Sequence, residues 1–391
     1  MSQIHFTIDF EKLKDTVMDS ELNEVVKSSL VLILNEYMEK ERDQYIQAES
    51  YQRSAARQDY RNGYYERELL MPNGRILLKV PRTRSGKFAT DVFERYARCD
   101  RALLLSMLEM VINGVSTRKV TKIVEELCGE SASRSMVSNL TKKLDPIVGE
   151  WASRPLNTIY YPYIYVDAMY IKVREHKRVV SKAVYTAIGV NEKNKREVIG
   201  FKVDHNESEP SWHDFFSSLK ARGLQSPKLL ISDAHSGLKL AIQKSFIGTS
   251  WQRCTVHMLR NMIQTMPKKT SKEARNELKA IFQSRKLEEA KRQKDQFIDK
   301  YEGKKAYQKA VDVLDEGFDD ATQYFAEPEE YHVSLRTTNM LERMNSEIRR
   351  RERVIRIFPN EQSAFRLIGA VLMDYEETLD LGNRTFLKKQ I

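Results

Sequence analysis

The sequence has few cysteines and no long apolar segment. Its three cysteines, Cys99, Cys128 and Cys254, are too few for the disulfide framework of a secreted protein, so they predict a reducing, cytosolic compartment. No apolar run approaches the length of a membrane-spanning helix, and the N-terminus, MSQIHFTIDFEKLKD, lacks the apolar block of a signal peptide. The sequence therefore predicts a soluble protein that works inside the cell, without a membrane partner.

Basic residues outnumber acidic ones. The 65 lysines and arginines against 55 aspartates and glutamates leave a net charge of +10. This sign of charge suits a polyanionic partner such as nucleic acid, although charge alone does not identify the partner. A length of 391 residues is sufficient for two or three domains with a substantial core, which excludes a peptide-sized adaptor.

The N-terminal part begins with a helical pattern and continues with a hairpin pattern. Apolar side chains recur on one helical face between Leu22 and Tyr37. Two strand-like runs, YYERELLM and RILLKV, then flank the residues PNG at 72–74, which are a strong hairpin signal. A basic tail follows at residues 82–87, and it is either a solvated loop or a contact for phosphate.

Residues from about 99 to 151 have a helical pattern in three pieces. The middle piece begins after Ser116, its predicted cap, and the third piece is SRSMVSNLTKKLDPIV. Two short helices joined by a glycine-containing turn suit a helix-turn-helix whose second helix enters the major groove. An ordinary three-helix bundle with a solvated outer face fits this pattern equally well. Under the first interpretation, the DNA-binding residues are Ser138, Asn139, Lys142 and Lys143.

After Trp151 the pattern changes from helical to strand-like. Three β-rich runs, IYYPYIYVDAMYIKVRE, RVVSKAVYTAIGVN and REVIGFKVDH, predict an antiparallel meander. A helix, the apolar strand KLLISD, a second helix and the short extended segment TSWQRCTVH follow. The block from about Met258 to His332 is charged and almost wholly helical, and helical periodicity resumes at Asn339. We therefore predict an α+β or α/β layer architecture with an inserted helical block.

Two aspartates lie where such a sheet could hold a ligand. Asp167 is inside an apolar strand-like run, where a carboxylate is costly to bury unless a group such as a metal ion neutralises it. Its alternative position is the solvent face of an edge strand. Asp233 follows an apolar strand and precedes a helix, and ligands gather at the carboxyl ends of strands in open α/β sheets. Its alternative role is to cap that helix.

Glu342 is the third acidic candidate, in the stretch LRTTNMLERMNSEIRRR. Asn339 and Glu342 have the spacing of a capping box, which explains the glutamate without any catalytic role. The same helix also presents Asn345 and Arg349 on the face of Glu342. Acidic residues on a sheet and a nearby helix can hold two divalent ions for phosphoryl transfer, and all-oxygen ligation favours Mg²⁺. The three acidic residues are separated by 66 and 109 residues.

Cys254 and His257, in WQRCTVHMLRN, raise the alternative of a zinc site. A structural zinc site needs four ligands, and the other two cysteines lie in a different predicted domain. We therefore expect a packed pair with a local role near the carboxylates. A Ser-His-Asp hydrolase is not indicated, because the sequence has no G-x-S-x-G motif.

A series of ordered motifs strongly resembles the bacterial Mutator-type insertion-sequence transposases, kin of the eukaryotic Mutator-like elements. These motifs are YVDAMYIKVR, ESEPSWHDFFSSLKARGL, LLISDAHSGLKLAI, WQRCTVHMLRN, RTTNMLERMNSEIRRR and IRIFPNEQSAFRLIGAVLMDYEE. Together with YRNGYYERELLMPNGRILLKVPRTRSG, they extend the resemblance from about residue 58 to about residue 377. Ordered motifs over that length make the resemblance highly specific.

The resemblance implies a ribonuclease H-like catalytic domain with an Asp-Asp-Glu triad, interrupted by an all-helical insertion and preceded by DNA-binding modules. By motif position the triad is Asp167, Asp233 and Glu342, and Cys254 and His257 match the Cys-x-x-His signature of the family. The predicted segments are an N-terminal helical region at 1–50, a β-hairpin region at 51–95, a helix-turn-helix-like DNA-binding domain at 96–152, the first part of the catalytic domain at 153–257, the insertion at 258–332 and the closing helices at 333–391.

The function implied by the resemblance is that of a DNA transposase in the bacterial cytoplasm, associated with the nucleoid. It would bind terminal inverted repeats and target DNA, as double-stranded DNA, in the form of a homodimer or higher oligomer. The triad would hold two Mg²⁺ ions, for which Mn²⁺ is expected to substitute, for strand cleavage and then for attack of the freed 3′-hydroxyl on target DNA. The candidates for phosphate contacts near the scissile bond are Asn345, Arg349, Arg350 and Arg351.

Two alternatives to a transposase remain open at this point. One is a ribonuclease H-like nuclease or resolvase that cleaves DNA without joining strands. The other is a non-catalytic regulator, derived from a transposase, that binds DNA through the helix-turn-helix alone. Strand-transfer assays on DNA that carries the element's ends separate the three functions.

Overall fold

Two compact units make up the chain, Met1–Lys142 and Lys143–Ile391. The structure is a computed structural model, and it describes residues 22–52, 55–71, 74–93, 101–128, 133–267 and 272–381. The predictions that concern residues 1–21, the hairpin turn at 72–73 and Cys99 lie outside the described residues. Within those ranges, no helix has the length and apolar character that crossing a membrane requires.

The first unit contains the predicted helix and hairpin. Helix α1 spans Leu22–Ile46, and strands β1 (Arg61–Met71) and β2 (Gly74–Thr83) pair in antiparallel orientation. Residues of β2 are alternately buried and exposed over most of its length, the period of a strand with one face in a core. The buried face packs with α1 around Met38 and Leu78. This packing stabilises a two-stranded hairpin that would be only marginally stable alone.

Three short helices complete the described part of the first unit: α2 (Arg101–Ile112), α3 (Thr117–Cys128) and α4 (Arg134–Thr141). The predicted cap of α3 is confirmed, because the Ser116 hydroxyl accepts a backbone hydrogen bond from the first turn at 3.3 Å. Ser133 caps α4 in the same way. The helices share a core formed by Met107, Val120, Val124, Val137 and Leu140.

The segment SRSMVSNLTKKLDPIV forms two helices, so the prediction of one continuous helix was wrong. Helix α4 ends at Thr141 and α5 spans Leu144–Ser153, which places α5 in the second unit. A bidentate ion pair between Asp145 of α5 and Arg366, at 2.5 and 2.8 Å, ties α5 to a helix more than two hundred residues away. A local apolar pattern cannot show such a partner.

A five-stranded sheet forms the centre of the second unit. Strands β3 (Tyr163–Glu175), β4 (Arg178–Val190) and β5 (Arg196–Asp204) form the predicted antiparallel meander. Two short strands, β6 (Leu229–Ser232) and β7 (Ser250–Arg253), continue the sheet in parallel orientation beside β3. The strand order is β5-β4-β3-β6-β7, so β3 is the central strand.

Crossover helices connect the parallel strands, as parallel pairing requires. Helix α6 (Glu209–Ala221) precedes β6, and α7 (Ser236–Ser245) lies between β6 and β7. Three aromatic side chains of α6, Trp212, Phe215 and Phe216, are almost fully buried in the core of the sheet. Their burial holds β6 and the residues that follow it in position.

The predicted helical block is helical and has its own core. Its elements are α8 (Thr255–Thr265), α9 (Lys272–Gln283), α10 (Leu287–Tyr301), α11 (Gln308–Ala321), two short 3-10 segments at Gln323–Ala326 and Glu329–Tyr331, and the short α12 (His332–Leu335). Met258, Leu278, Phe297 and Leu314 lie in its core. Two long helices then close the unit, α13 (Asn339–Ile355) and α14 (Glu361–Leu381).

Glu376 joins three elements of the second unit. Its carboxylate accepts hydrogen bonds from the indole of Trp151 at 2.8 Å, from Arg154 at 3.0 Å and from the backbone N–H of Val198 at 2.9 Å. Burial raises the pKa of Glu376, partly offset by the charge of Arg154 and by these hydrogen bonds. The carboxylate therefore links α14 to α5 and β5.

Glu376→Ala is expected to lower the free energy of unfolding by about 3 kcal/mol, because it leaves the Trp151 indole and the Val198 N–H without an acceptor and removes the ion pair with Arg154. Glu377→Ala, at the adjacent exposed position of the same helix, is the matched control and should change stability by less than about 0.5 kcal/mol. Urea denaturation of both variants measures the difference. Equal losses in the two variants would contradict this role of Glu376.

Candidate active site

Asp167 lies in the central strand β3, so the alternative of an edge strand was wrong. Burial raises the pKa of its carboxyl group to about 6. A backbone hydrogen bond from Ala168 and the charge of His257 lower this pKa in part, whereas the charges of Asp233 and Glu207 raise it further. Asp167 is thus a half-buried carboxylate with other acidic groups nearby, and its negative charge is neutralised only in part by the groups around it.

Asp233 lies beside Asp167 because of the parallel register of their strands. The last paired residues of β3 and β6 are Tyr165 and Ile231, and each aspartate follows two residues later. The alternative role as a helix cap was wrong, because the N-cap of α7 is His235 and makes no side-chain cap bond. The Asp233 carboxylate instead accepts a hydrogen bond from the adjacent backbone N–H at 2.9 Å.

Glu342 faces the same site from α13. The capping-box interpretation was wrong: Thr338, not Asn339, is the N-cap, and it makes no side-chain cap hydrogen bond. Glu342 Oε1 lies 3.3 Å from Nε2 of His257 and 3.4 Å from Nη2 of Arg260. Its side chain therefore turns to the helix α8 rather than back to its own backbone.

His257 stands between two of the three carboxylates. Its Nδ1 lies 3.8 Å from Asp233 Oδ1, and its Nε2 faces Glu342 as described above. A hydrogen bond with the Cys254 thiol raises the pKa of His257 to about 9, against the effect of burial, and the charges of Cys254, Asp233 and Glu342 add to the rise. At neutral pH the imidazolium form therefore carries a positive charge between the carboxylates.

Cys254 is fully buried at the N-terminus of α8, next to Thr338. The backbone N–H and the hydroxyl of Thr338 donate to its sulfur at 3.4 and 3.3 Å. Burial raises the pKa of this thiol, but the hydrogen bonds from His257 and Thr338 outweigh burial and lower it overall. The pair thus contacts Thr338 and, through His257, Asp233 and Glu342, and its role near the carboxylates stays a prediction.

No ready-made metal cage exists among the residues that the structure describes. In those ranges, no three or more histidine, cysteine, aspartate or glutamate side chains are arranged around one point as metal ligands. The predicted triad is nevertheless gathered: Asp167 and Asp233 lie side by side, and His257 lies between Asp233 and Glu342. The arrangement thus brings three carboxylates and one imidazole to the carboxyl end of β6.

The predicted phosphate contacts of α13 fall into two groups. Asn345 is 7% exposed and donates from Nδ2 to Asp167 Oδ2 at 2.6 Å, while its Oδ1 is buried without a hydrogen-bond partner. Arg351 is 3% exposed and pairs with Glu347. Arg349 and Arg350 are exposed. Of these four residues only Arg349 and Arg350 reach solvent, and Nη2 of Arg350 lies 3.2 Å from Oε2 of Glu347.

The predicted contacts of the helix-turn-helix are all exposed, but they do not share one unit. Ser138 and Asn139 lie on α4, and Lys142, which ends that helix, donates to Asn139 at 3.1 Å. Lys143 is the N-cap of α5 and belongs to the second unit.

Three residues of the site were not predicted from the sequence. Arg260 follows His257 by three positions on α8, a helical spacing that could have indicated its contact with Glu342. Thr338 directly precedes α13 and approaches Cys254 from a distant part of the chain. Glu207, in the loop before α6, accepts a hydrogen bond from the Trp212 indole at 3.2 Å, and no local pattern marks it.

Comparison with known proteins gives one family over nearly the whole chain. The family model described as "Transposase, Mutator family" matches residues 1–380. The chain is 50% identical over 387 residues to the transposase for insertion sequence element IS256 in transposon Tn4001 of Staphylococcus aureus, with 99% of each chain covered. It is 39% identical over 363 residues to the transposase for insertion sequence element ISRM5 of Rhizobium meliloti, with 93% of this chain and 89% of the relative covered. It is also 36% identical over 352 residues to the transposase for insertion sequence element IS406 of Burkholderia multivorans, with 89% and 90% covered.

Proposed function

The chain belongs to the Mutator family of transposases, and from this premise we propose that Asp167, Asp233 and Glu342 are the triad with which it cleaves and joins DNA strands. The family acts in DNA transposition, so DNA is the substrate. The observation that carries the proposal is the gathering of three carboxylates that are 66 and 109 residues apart in the sequence: Asp233 and Glu342 flank His257, and Asp167 lies beside Asp233.

A ribonuclease H-like fold of the second unit is part of the proposal. Three antiparallel strands, β3, β4 and β5, form a meander on one side of the sheet. The parallel strands β6 and β7 then extend the sheet from the opposite edge of β3, and this arrangement supports the proposed fold. The helical block then separates β7 from α13, as expected for an insertion between the second aspartate and the glutamate. For the first unit we propose that α3 and α4 form a helix-turn-helix.

The donor set fits Mg²⁺, since all three proposed ligands are carboxylates and hard divalent cations prefer oxygen. The charge of the half-buried Asp167 is compensated only in part, and Asp233 and Glu342 lie on either side of the cationic His257. Two Mg²⁺ ions, or Mn²⁺ in their place, would supply activation of the attacking oxygen and stabilisation of the leaving oxygen.

The other residues of the site would position the triad and the DNA. Asn345 fixes the orientation of Asp167, and His257 and Arg260 hold Glu342. The exposed Arg349 and Arg350 would attract phosphate near the scissile bond. Ser138, Asn139 and Lys142 would contact the terminal inverted repeat, and Lys143 would contact phosphate. The protein would act on double-stranded DNA as a homodimer or higher oligomer.

A strand-transfer assay tests the proposed function. The substrate is a labelled duplex that ends in the inverted repeats found beside the gene, with a plasmid as the target and Mg²⁺ in the buffer. The expected products are cleaved ends and covalent joints to the plasmid. Cleavage without joints would favour the nuclease or resolvase, and binding without cleavage would favour the regulator.

Mg²⁺ is expected to raise the melting temperature of the protein by roughly 2–4 °C when its concentration is about ten times the dissociation constant. Asp167→Asn should abolish this shift, because it removes a charged oxygen ligand. Asp214→Asn, an exposed position on α6, is the matched control and should keep the shift. Differential scanning fluorimetry with and without Mg²⁺ measures it, and an undiminished shift in Asp167→Asn would remove that residue from the metal site.

A further inference from the structure

A cavity of about 620 Å³ lies in the first unit, between the hairpin and the segment at 84–93 that follows it. Its charged and aromatic lining consists of Arg67, Arg82, Arg84, Tyr65, Phe88 and Phe93. No acidic residue is found among the described residues that line it. The cavity therefore combines positive charge with aromatic surface, and the proposed active site does not use it.

Two of the arginines lie against aromatic rings within the cavity. The guanidinium carbon of Arg82 is 4.6 Å from the centroid of the Tyr65 ring, and that of Arg67 is 4.0 Å from the centroid of the Phe93 ring. For Arg82, contact with the ring orients the plane of the guanidinium while its N–H edge can still meet an anion. Arginines oriented in this way lose less side-chain entropy when they bind than mobile ones do.

The wall formed by the segment at 84–93 is fixed by hydrogen bonds. Asp59 accepts from the backbone N–H of Ser85 at 3.2 Å and from its hydroxyl, and Glu41 accepts from the hydroxyl of Thr90. The ring of Phe88 packs against Tyr45 of α1, with the centroids 5.5 Å apart. Asp59 and Glu41 thus hold the wall in place, and the cavity is largely pre-formed.

We propose that this cavity binds an unpaired nucleotide of a DNA strand, with the phosphate on Arg82 and Arg84 and the base against the aromatic side chains. The inference rests on the proposed function in one respect, that DNA is the substrate. The volume lies in the range of about 300–1,000 Å³ that single small ligands occupy. In a duplex the bases are paired and stacked, so their faces are not available to the aromatic lining.

The aromatic lining favours a nucleotide over a free phosphate ion. Guanidinium groups alone would satisfy any phosphate, but Phe88 adds an apolar aromatic surface that only a base can use. Stacking of a base on an aromatic side chain tolerates any sequence, because every base has a π-face. The site would therefore serve a strand that is opened or frayed near a cleaved end, whatever its sequence.

The test compares a labelled oligo(dT) strand with a blunt duplex of the same length. Binding to the full-length protein is measured by fluorescence anisotropy in EDTA, so that catalysis plays no part. The double variant Arg82→Gln/Arg84→Gln should bind oligo(dT) about tenfold more weakly, and the duplex less than about twofold more weakly. Arg75→Gln is the matched control, because Arg75 is exposed on the same hairpin, pairs with Glu68 and does not line the cavity.

Phe88→Ala tests the base contact, with an expected loss for oligo(dT) of about tenfold and no change for the duplex. If this variant does not fold, Phe88→Leu keeps an apolar side chain against Tyr45 while removing the aromatic face. The proposal would be overturned if the folded Phe88 variant and Arg82→Gln/Arg84→Gln both bound oligo(dT) as tightly as the wild type. Equal losses of affinity for oligo(dT) and for the duplex would overturn it as well. Competition by inorganic phosphate as strong as that by dTMP would also overturn it, since it would indicate a site without base recognition.

These results are separable from the test of the proposed function. Asp167→Asn should bind oligo(dT) as the wild type does, because the triad lies in the other unit. Failure of wild-type strand transfer with intact, Arg82-dependent binding of oligo(dT) would refute the transposase mechanism and leave the cavity assignment in place. Normal strand transfer together with oligo(dT) binding that does not depend on Arg82 would refute the cavity assignment alone.

Discussion

Replacing any one of Asp167, Asp233 and Glu342 by its amide is expected to reduce cleavage and strand transfer by about 10³-fold or more, while DNA binding changes less than about twofold. Asn and Gln match Asp and Glu in size, so the fold has no reason to change. The substitution removes one negatively charged carboxylate oxygen that would bind a divalent ion. A loss of about 4 kcal/mol of transition-state stabilisation corresponds to that change in rate.

Two matched amide substitutions control for this experiment. Asp214→Asn and Glu377→Gln change the same functional groups at exposed positions of the second unit and should leave strand transfer unchanged. Rates are measured in single turnover on end-bearing DNA, and binding is measured separately in EDTA. Wild-type strand transfer by any one of the three site variants would remove that residue from the triad.

Removal of residues 1–142 is expected to abolish the preference for the element's ends, with at least a 10³-fold loss of specific affinity. The proposed helix-turn-helix lies wholly in the first unit, whereas the exposed arginines of α13 remain in the second. The remaining binding should be non-specific and should weaken steeply with salt, because it would depend on release of counterions from phosphates.

The structure determines where this truncation has to be made. A cut after residue 150 would remove most of α5, and with it the ion pair between Asp145 and Arg366. Retaining Lys143–Ile391 keeps that pair and the Trp151 bond to Glu376. Circular dichroism and thermal unfolding verify that the truncated protein is folded. Continued discrimination between the element's ends and scrambled DNA would place recognition in the second unit instead.

The sequence was sufficient for the features that depend on neighbouring residues. The hairpin, the antiparallel meander and the Ser116 cap follow from strand alternation, turn residues and a hydroxyl next to a helix. The family was also readable, because the ordered motifs around Asp167, Asp233 and Glu342 occur in sequence order over most of the chain. Each of these signals is local or is a sum of local signals.

Only the tertiary structure decided between the alternatives that the sequence left open. Asp167 had two possible positions, and the strand order β5-β4-β3-β6-β7 excludes the edge. The Glu342 side chain was expected to cap its own helix, but it contacts His257, some eighty residues earlier in the sequence. Asn345 and Arg351 look like neighbours of Arg349 and Arg350 in the sequence, yet α13 buries the first two and exposes the others.

The physical reason for this division is the range of the interactions. Backbone sterics and the periods of helices and strands act over a few residues, so periodicity and capping are visible in a short stretch of sequence. Partners such as Asp167 and Asn345, or Asp145 and Arg366, are about two hundred residues apart, and the packing of whole elements brings them together. The sequence by itself thus determined the elements and the family, and tertiary packing decided which side chains meet at the site.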